Sequence, residues 1–165
     1  MITRPKIETR EEQHTLGIRK PVPMSELPKI IPAYTREVFT YLRAKNIAPA
    51  GPPFLRFHVI EMPGRLDVEI GVIVPKGAEG EGEIVSGAIP AGEYATLIYT
   101  GLDGYHASKT LMEWAQKNGV KWDEWKGPHG DAFRSRVELS LIDPADEPNP
   151  DKWETLVAIK IADKP

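Results

Sequence analysis

The chain contains no cysteine among its 165 residues. That excludes disulfides, thiolate nucleophiles and cysteine-ligated metals, and it fits a reducing, cytoplasmic setting. No apolar run approaches the roughly 18–20 residues that span a membrane, and the opening MITRPKIETREEQ lacks an apolar signal-peptide core. A basic excess is missing too: the net charge is -3, whereas a nucleic-acid surface needs clustered Lys and Arg. What the chain has in quantity is turn chemistry, with 16 prolines and 14 glycines implying short elements joined by sharp turns. Its 41% hydrophobic and 27% charged residues describe a globular protein, and the length suits a single domain, 1–165.

Residues 5–20 read as an extended first strand, which Pro21 and Pro23 end. Ser25 is placed to cap a helix, with Pro28 in its first turn and Leu27, Ile30, Ile31, Tyr34, Val38, Tyr41 and Leu42 on one face. Pro32 interrupts that stripe and predicts a kink or a later helix start. After the Ala50–Pro53 turn come strand FLRFHVIEM, a Pro63-Gly64 hairpin turn and strand LDVEIGVIV. Residues 76–92 read as a polar connection, followed by strand YATLIYTG and a second helix with Ala107, Leu111, Trp114 and Ala115 on its apolar stripe, closed by Asn118-Gly119. A long connection, VKWDEWKGPHGD, leads to strand AFRSRVELSLI, the turn DPADEPNPDK and strand WETLVAIKI.

The order strand–helix–strand–strand thus occurs twice, over about 5–75 and 84–163. Matching helix ends (RAKN and AQKN) and the match of Arg56 to Arg136 place His58 opposite Glu138, and Glu69 opposite Leu156. Two such units packed about a pseudo-twofold axis predict an α+β fold with two main helices, antiparallel sheets and a cleft between the halves.

Alternation sorts the side chains of the two last strands. Val68, Ile70, Val72 and Val74 share one face with Val157, Ile159 and Ile161, towards the helices; Glu69, Gly71 and Ile73 point the other way with Leu156, Ala158 and Lys160. Small residues at Gly71 and Ala158 would open a cleft beside one charge, although Glu69 reads equally as a solvated strand position. Tyr34, Tyr41, Trp114, Trp122, Trp125 and Phe133 gather around the helices and the 120–133 connection. An aromatic-lined cleft with a few polar anchors is what a small organic ligand uses, and a carboxylate among aromatic faces suits a cation. Tyr41 and Trp114 lie on helix stripes and read as core; Trp122 and Trp125, in a charged connecting stretch, are better pocket walls.

Other chemistry finds no support. GAEGEG carries Glu79, Glu81 and Glu83, which repel phosphate, and no Lys-Ser/Thr follows. None of the four histidines has a ligand-spaced partner, and no Gly-x-Ser-x-Gly elbow exists, so no metal and no cofactor is expected.

The segments GPPFLRFHVIEM, LDVEIGVIVP, IPAGEYATLIYTG, the Trp114 helix and above all RVELSLIDPADEPNPDKWETLVAIKI resemble the GyrI-like small-molecule-binding domains, related to effector-binding domains of multidrug-sensing transcription regulators. The resemblance implies the duplicated fold and a ligand in the cleft between the halves. It also implies a deep glutamate after the Trp-x-Thr of the last strand, which serves cation binding in the regulators and, with a Tyr, catalysis in relatives that hydrolyse cyclopropane-bearing toxins. Here Trp153-Glu154-Thr155 is followed by Leu156, and YTGLDGYHAS departs from the family's Gly-Pro-Tyr-Asp-Gly, leaving Tyr105 as a nearby candidate. The expected protein is a stand-alone, cytoplasmic binder of a small, largely apolar molecule. Its polar anchors are Glu69, His58 and Glu138, and its apolar walls Trp122, Trp125, Phe133, Tyr34 and Leu156. A hydrolase of electrophilic xenobiotics and a module restraining a topoisomerase are the alternatives, and a further protein partner is left open. With a regulator's DNA-reading segment not in evidence and an acidic balance, no direct nucleic-acid contact and no membrane contact are expected. A mobility-shift experiment at physiological salt should accordingly show no sequence-specific DNA complex.

Overall fold

The computed structural model describes residues 1–143 and 145–164; Pro144, within the predicted DPADEPNPDK turn, and Pro165 lie outside the described residues. The strands are β1 (Lys6–Arg10), β2 (Gln13–Pro23), β3 (Pro53–Glu61), β4 (Arg65–Ile73), β5 (Ile84–Ile89), β6 (Gly92–Thr100), β7 (Glu124–Gly127), β8 (Gly130–Phe133), β9 (Arg136–Ser140) and β10 (Glu154–Lys160). Two α-helices join them, α1 (Leu27–Ala44) and α2 (Gly104–Lys117). The ten strands form one antiparallel sheet that does not close, in the order β1-β6-β10-β9-β3-β4-β2-β5, with β8 pairing β3 and β7 beyond it. This is an α+β fold.

Four elements differ from the sequence reading. The first extended run is two strands, broken at Glu11-Glu12: β1 pairs β6 and β2 pairs β4 and β5, at far sides of the sheet. Pro21 and Pro23 lie inside β2, because β5 pairs only Gln13–Ile18 and leaves the outer edge free where they fall. The polar connection contains β5, a short strand whose Gly and Ser conceal its pattern. The stretch before the last Pro-rich turn holds a β7–β8 hairpin and a break at Arg134-Ser135, so that β8 and β9 pair different parts of β3.

Helix α1 has no side-chain cap; Met24–Glu26 forms a 3-10 turn ahead of it, and Pro32 stands exposed within a helix that continues through it. Ile30, Val38 and Leu42 are its buried stripe, packed on Leu16, Ile18, Val22, Leu66, Val68, Ile70 and Val72 of β2 and β4. Asp103 caps α2 by accepting the His106 backbone N–H, which ties down an otherwise open first turn. Ala107 and Leu111 then pack on Ala95, Leu97, Val157 and Ile159 of β6 and β10.

On the sheet's other face, Phe54, Ile73, Ile89, Tyr94, Val137, Leu139 and Ala158 form a second core with Leu156 at its margin. The small residues expected to open a cleft there are instead covered. A Cβ at Gly71 would run into the Leu16 carbonyl oxygen and lie 2.8 Å from Gly17 Cα and 2.9 Å from the Phe54 ring, and Ala158 is fully buried. Gly71→Ala should therefore cost about 1–3 kcal/mol of stability through overpacking. Gly64→Ala, where nothing lies within 4 Å, should stay within about 0.5 kcal/mol of the parent. Urea unfolding of the pair measures both.

Candidate functional site: the strip between the helices

Cross-strand register places one transverse row under the helices. Ile18 faces Ile70, Ile70 faces Leu55, Leu55 faces Glu138, Glu138 faces Val157, and Val157 faces Leu97. Neighbours in register share a face of the sheet. Ile18 and Ile70 lie beneath α1, Val157 and Leu97 beneath α2, and all four are buried. The helices pack chiefly on β2, β4 and β6, so the central pair β3–β9 runs between them. There Leu55, Phe57, Arg136 and Glu138 are only half-buried. They line the strip of sheet that the helices leave partly uncovered, termed the groove.

Glu138 is the single charge in that row. Its Oε1 accepts the Tyr99 hydroxyl at 3.0 Å, and Gly104 at the start of α2 closes on the pair: a Cβ there would sit 2.9 Å from Tyr99 Oη and 3.6 Å from Glu138 Oε1. Burial pushes the Glu138 carboxyl above its ordinary proton affinity, against smaller opposing pulls from the Tyr99 hydroxyl and Arg136. The Tyr99 hydroxyl is raised as well, by burial and then by Glu138. Two residues along β9 on the same face, the Arg136 guanidinium stacks 4.9 Å from the Phe133 ring and 5.8 Å from the Phe57 ring. Tyr34 of α1 packs against the cluster to which Leu55 and Phe57 belong.

Of the expected anchors and walls, Glu138, Phe133 and Tyr34 thus stand around the groove. Glu69 and His58 lie on the opposite face, paired at 2.8 Å from His58 Nε2 to Glu69 Oε1 and largely buried. Arg56 joins them there, donating to the Ala88 and Arg134 carbonyls at 2.8 Å each. Leu156 is also on that face, between Leu139 and Ile98 in register. Trp122 packs beneath α2 beside Ile161. Trp125 is 45% exposed under the Arg134 guanidinium, in register with Ala132 and, through it, Val59. Across the strands Glu138 faces Leu55, because β3 and β9 pair through Phe54–Arg56. Leu55, Phe57, Tyr99 and Arg136 were missed as site residues. Only their alternation with buried neighbours pointed to a shared face, and which strands adjoin is a long-range fact.

Two shallow depressions lie elsewhere. One of about 430 Å³ is lined by Pro21, Val59, Asp67 and His129, and one of about 300 Å³ by Asp103, Tyr105 and His106. Neither includes Glu138. Their charged groups are solvated or already paired, as Asp67 is with Arg19 at 2.8 Å, so they offer little to fix a ligand. Among the described residues no cluster of His, Asp and Glu could hold a metal, and no helix is long and apolar enough to cross a membrane.

An open sheet flanked by two helices, with an acid in the partly uncovered strip between them, defines an α+β domain. The chain belongs to the GyrI-like small-molecule-binding domain family, whose model matches residues 3–162. Among solved structures it is similar to the EcmrR C-terminal domain, at 21% identity and TM-score 0.75, with 98% of each chain covered. In the EcmrR–DNA complex the same likeness spans only 58% of the regulator's chain. A hydrolase from Listeria innocua shares the fold at 14% identity and TM-score 0.63, covering 96% of this chain and 92% of that one. SAV2435, solved bound to tetraphenylphosphonium, does so at 9% identity and TM-score 0.58, covering 97% and 94%. No functionally curated protein matches the chain.

A carboxyl whose proton affinity rises on folding penalises the folded state once pH exceeds the unfolded value. The penalty is absent in acid, grows through the two values and is complete above the folded one. Glu138→Gln removes it while keeping an acceptor for Tyr99. The variant's gain in Tm over the parent should therefore be larger at pH 7 than at pH 4, by scanning calorimetry.

Proposed function

We propose that the groove binds a small organic molecule with an apolar or aromatic body and a cationic or hydrogen-bond-donating group, which Glu138 accepts. The observation carrying this reading is the lone half-buried carboxylate in an otherwise apolar row. Half-buried Phe57 and Tyr34 supply aromatic surface, and a carboxylate in a poorly screened groove attracts a lipophilic cation more strongly than one in water. Leu156 does not weigh against it, since the acid of this groove comes from β9. Tetraphenylphosphonium is the natural probe. At about a hundred times its Kd it adds about 2.7 kcal/mol to a protein that binds it only when folded, a Tm rise of several degrees for a domain of this length. Glu138→Gln should lose most of that rise. Leu156→Glu should lower intrinsic stability by burying a carboxylate among Leu139 and Ile98 without enlarging the response. An unchanged response in Glu138→Gln would place the ligand elsewhere.

A second reading is hydrolysis of a cyclopropane-bearing electrophile, with Glu138 as the base that activates water. Its raised proton affinity favours this. The reading requires a product heavier by one water, formed by the parent and not by Glu138→Gln.

A further inference from the structure

Several other arginines find hydrogen-bonding partners within the protein, although the buried Nε of Arg56 has none. Arg56 donates to two carbonyls, Arg19 forks onto Asp67, and Arg10 contacts Glu8 at 3.1 Å. Arg136 does not. Among the described residues it has no hydrogen-bonding partner, and no carboxylate oxygen lies within 4.0 Å of it. Yet it is half-buried, both flanking rings lie against it, and burial lowers its proton affinity while Glu138 and Glu124 act only through their field. A guanidinium carries five N–H donors in a rigid fork, and it is seldom withdrawn from water without an acceptor. The guanidinium carbon lies 4.9 Å from the Phe133 ring centroid and 5.8 Å from that of Phe57, and rings accept none of its N–H bonds in the way a carboxylate does. The fork matches a carboxylate, which accepts two parallel N–H bonds.

Arg136 and Glu138 are two residues apart on the same face of β9, about 6–7 Å along the strand. They present opposite charges that do not meet. Resting on the groove reading above, we propose that the ligand is an aromatic zwitterion: its carboxylate is forked by Arg136, its cationic nitrogen is held by Glu138, and its ring system lies over Leu55 and Phe57. A pure cation engages only Glu138 and leaves the half-buried Arg136 fork to water. The zwitterion satisfies both groups, so a free carboxylate on the ligand adds affinity here rather than subtracting it. This makes Arg136 a specificity-determining residue, one that selects among the cations the groove can admit.

Rhodamine 110 and its methyl ester, rhodamine 123, test the idea because they share one cationic aromatic body and differ only in whether the carboxylate is free. Binding is read by fluorescence anisotropy with the full chain. The parent should bind rhodamine 110 roughly tenfold or more tightly than the ester, the scale of one charge-assisted hydrogen-bonded pair. Arg136→Gln should erase that preference while leaving the ester's affinity within about threefold, and Glu138→Gln should weaken both dyes. Arg136→Lys keeps the charge and the aliphatic stem against the rings, guards against a folding defect, and should retain only part of the preference because it lacks the fork. If the parent favours the ester, or if Arg136→Gln weakens both dyes equally, Arg136 does not read a carboxylate and the zwitterion proposal fails while the groove stands. If neither dye binds the parent, the groove reading fails and the proposal fails with it.

Discussion

The pairing of β3 with β9 is the contact on which the rest of the site depends. It joins a strand from the first part of the chain to one some eighty residues later through three register pairs, Phe54 to Leu139, Leu55 to Glu138 and Arg56 to Val137. Because side chains alternate across a strand, a slip of one residue would send Glu138 to the far face and bring a leucine or valine into the groove. The pairing also leaves the junction without a helix of its own, since α1 and α2 are committed to the apolar stripes on either side. A polar strip between two apolar flanks follows from that geometry.

The two faces of the sheet use polar residues differently. On the face away from the helices, Glu69 and His58 pair at 2.8 Å, and the Arg56 guanidinium ties the middle of the sheet to carbonyls of residues 88 and 134. Most of their hydrogen-bonding capacity is met within the protein, which limits the desolvation cost of burying charge, although the Arg56 Nε is left without a partner. On the helix side Glu138 has one hydroxyl partner and Arg136 only ring faces. Partly buried groups left with unused hydrogen-bonding capacity are where a ligand can contribute most, because it supplies partners that the protein withholds.

Tight steric limits keep the helix-distal face closed. Phe54 occupies the space that Gly71 vacates, and Gly17 lies beneath the Glu69 carboxylate, where a Cβ would stand 2.9 Å from Oε2. Glycines in neighbouring strands therefore serve close packing, with a large ring or a charged side chain taking the room. In sequence such glycines look the same as ones that open a cavity, and the difference resides in what the adjoining strand places opposite.

By itself the amino-acid sequence determined the α+β class, both helices with their buried stripes, the facing of the β4 and β10 side chains, and membership of a small-molecule-binding family. Those properties are local: periods of two and 3.6 residues, turn chemistry and motif blocks survive in a linear string. The tertiary structure alone decided that Glu138 meets Leu55 and Tyr99, that Glu69 turns away towards His58, that β5 and the β7–β8 hairpin extend the sheet, and that Leu156 packs beside Leu139. Each of these depends on register between strands far apart in the chain, set by the packing of whole faces against one another. The pattern of any one strand shows which residues share a face, and it cannot show which distant strand will lie beside it.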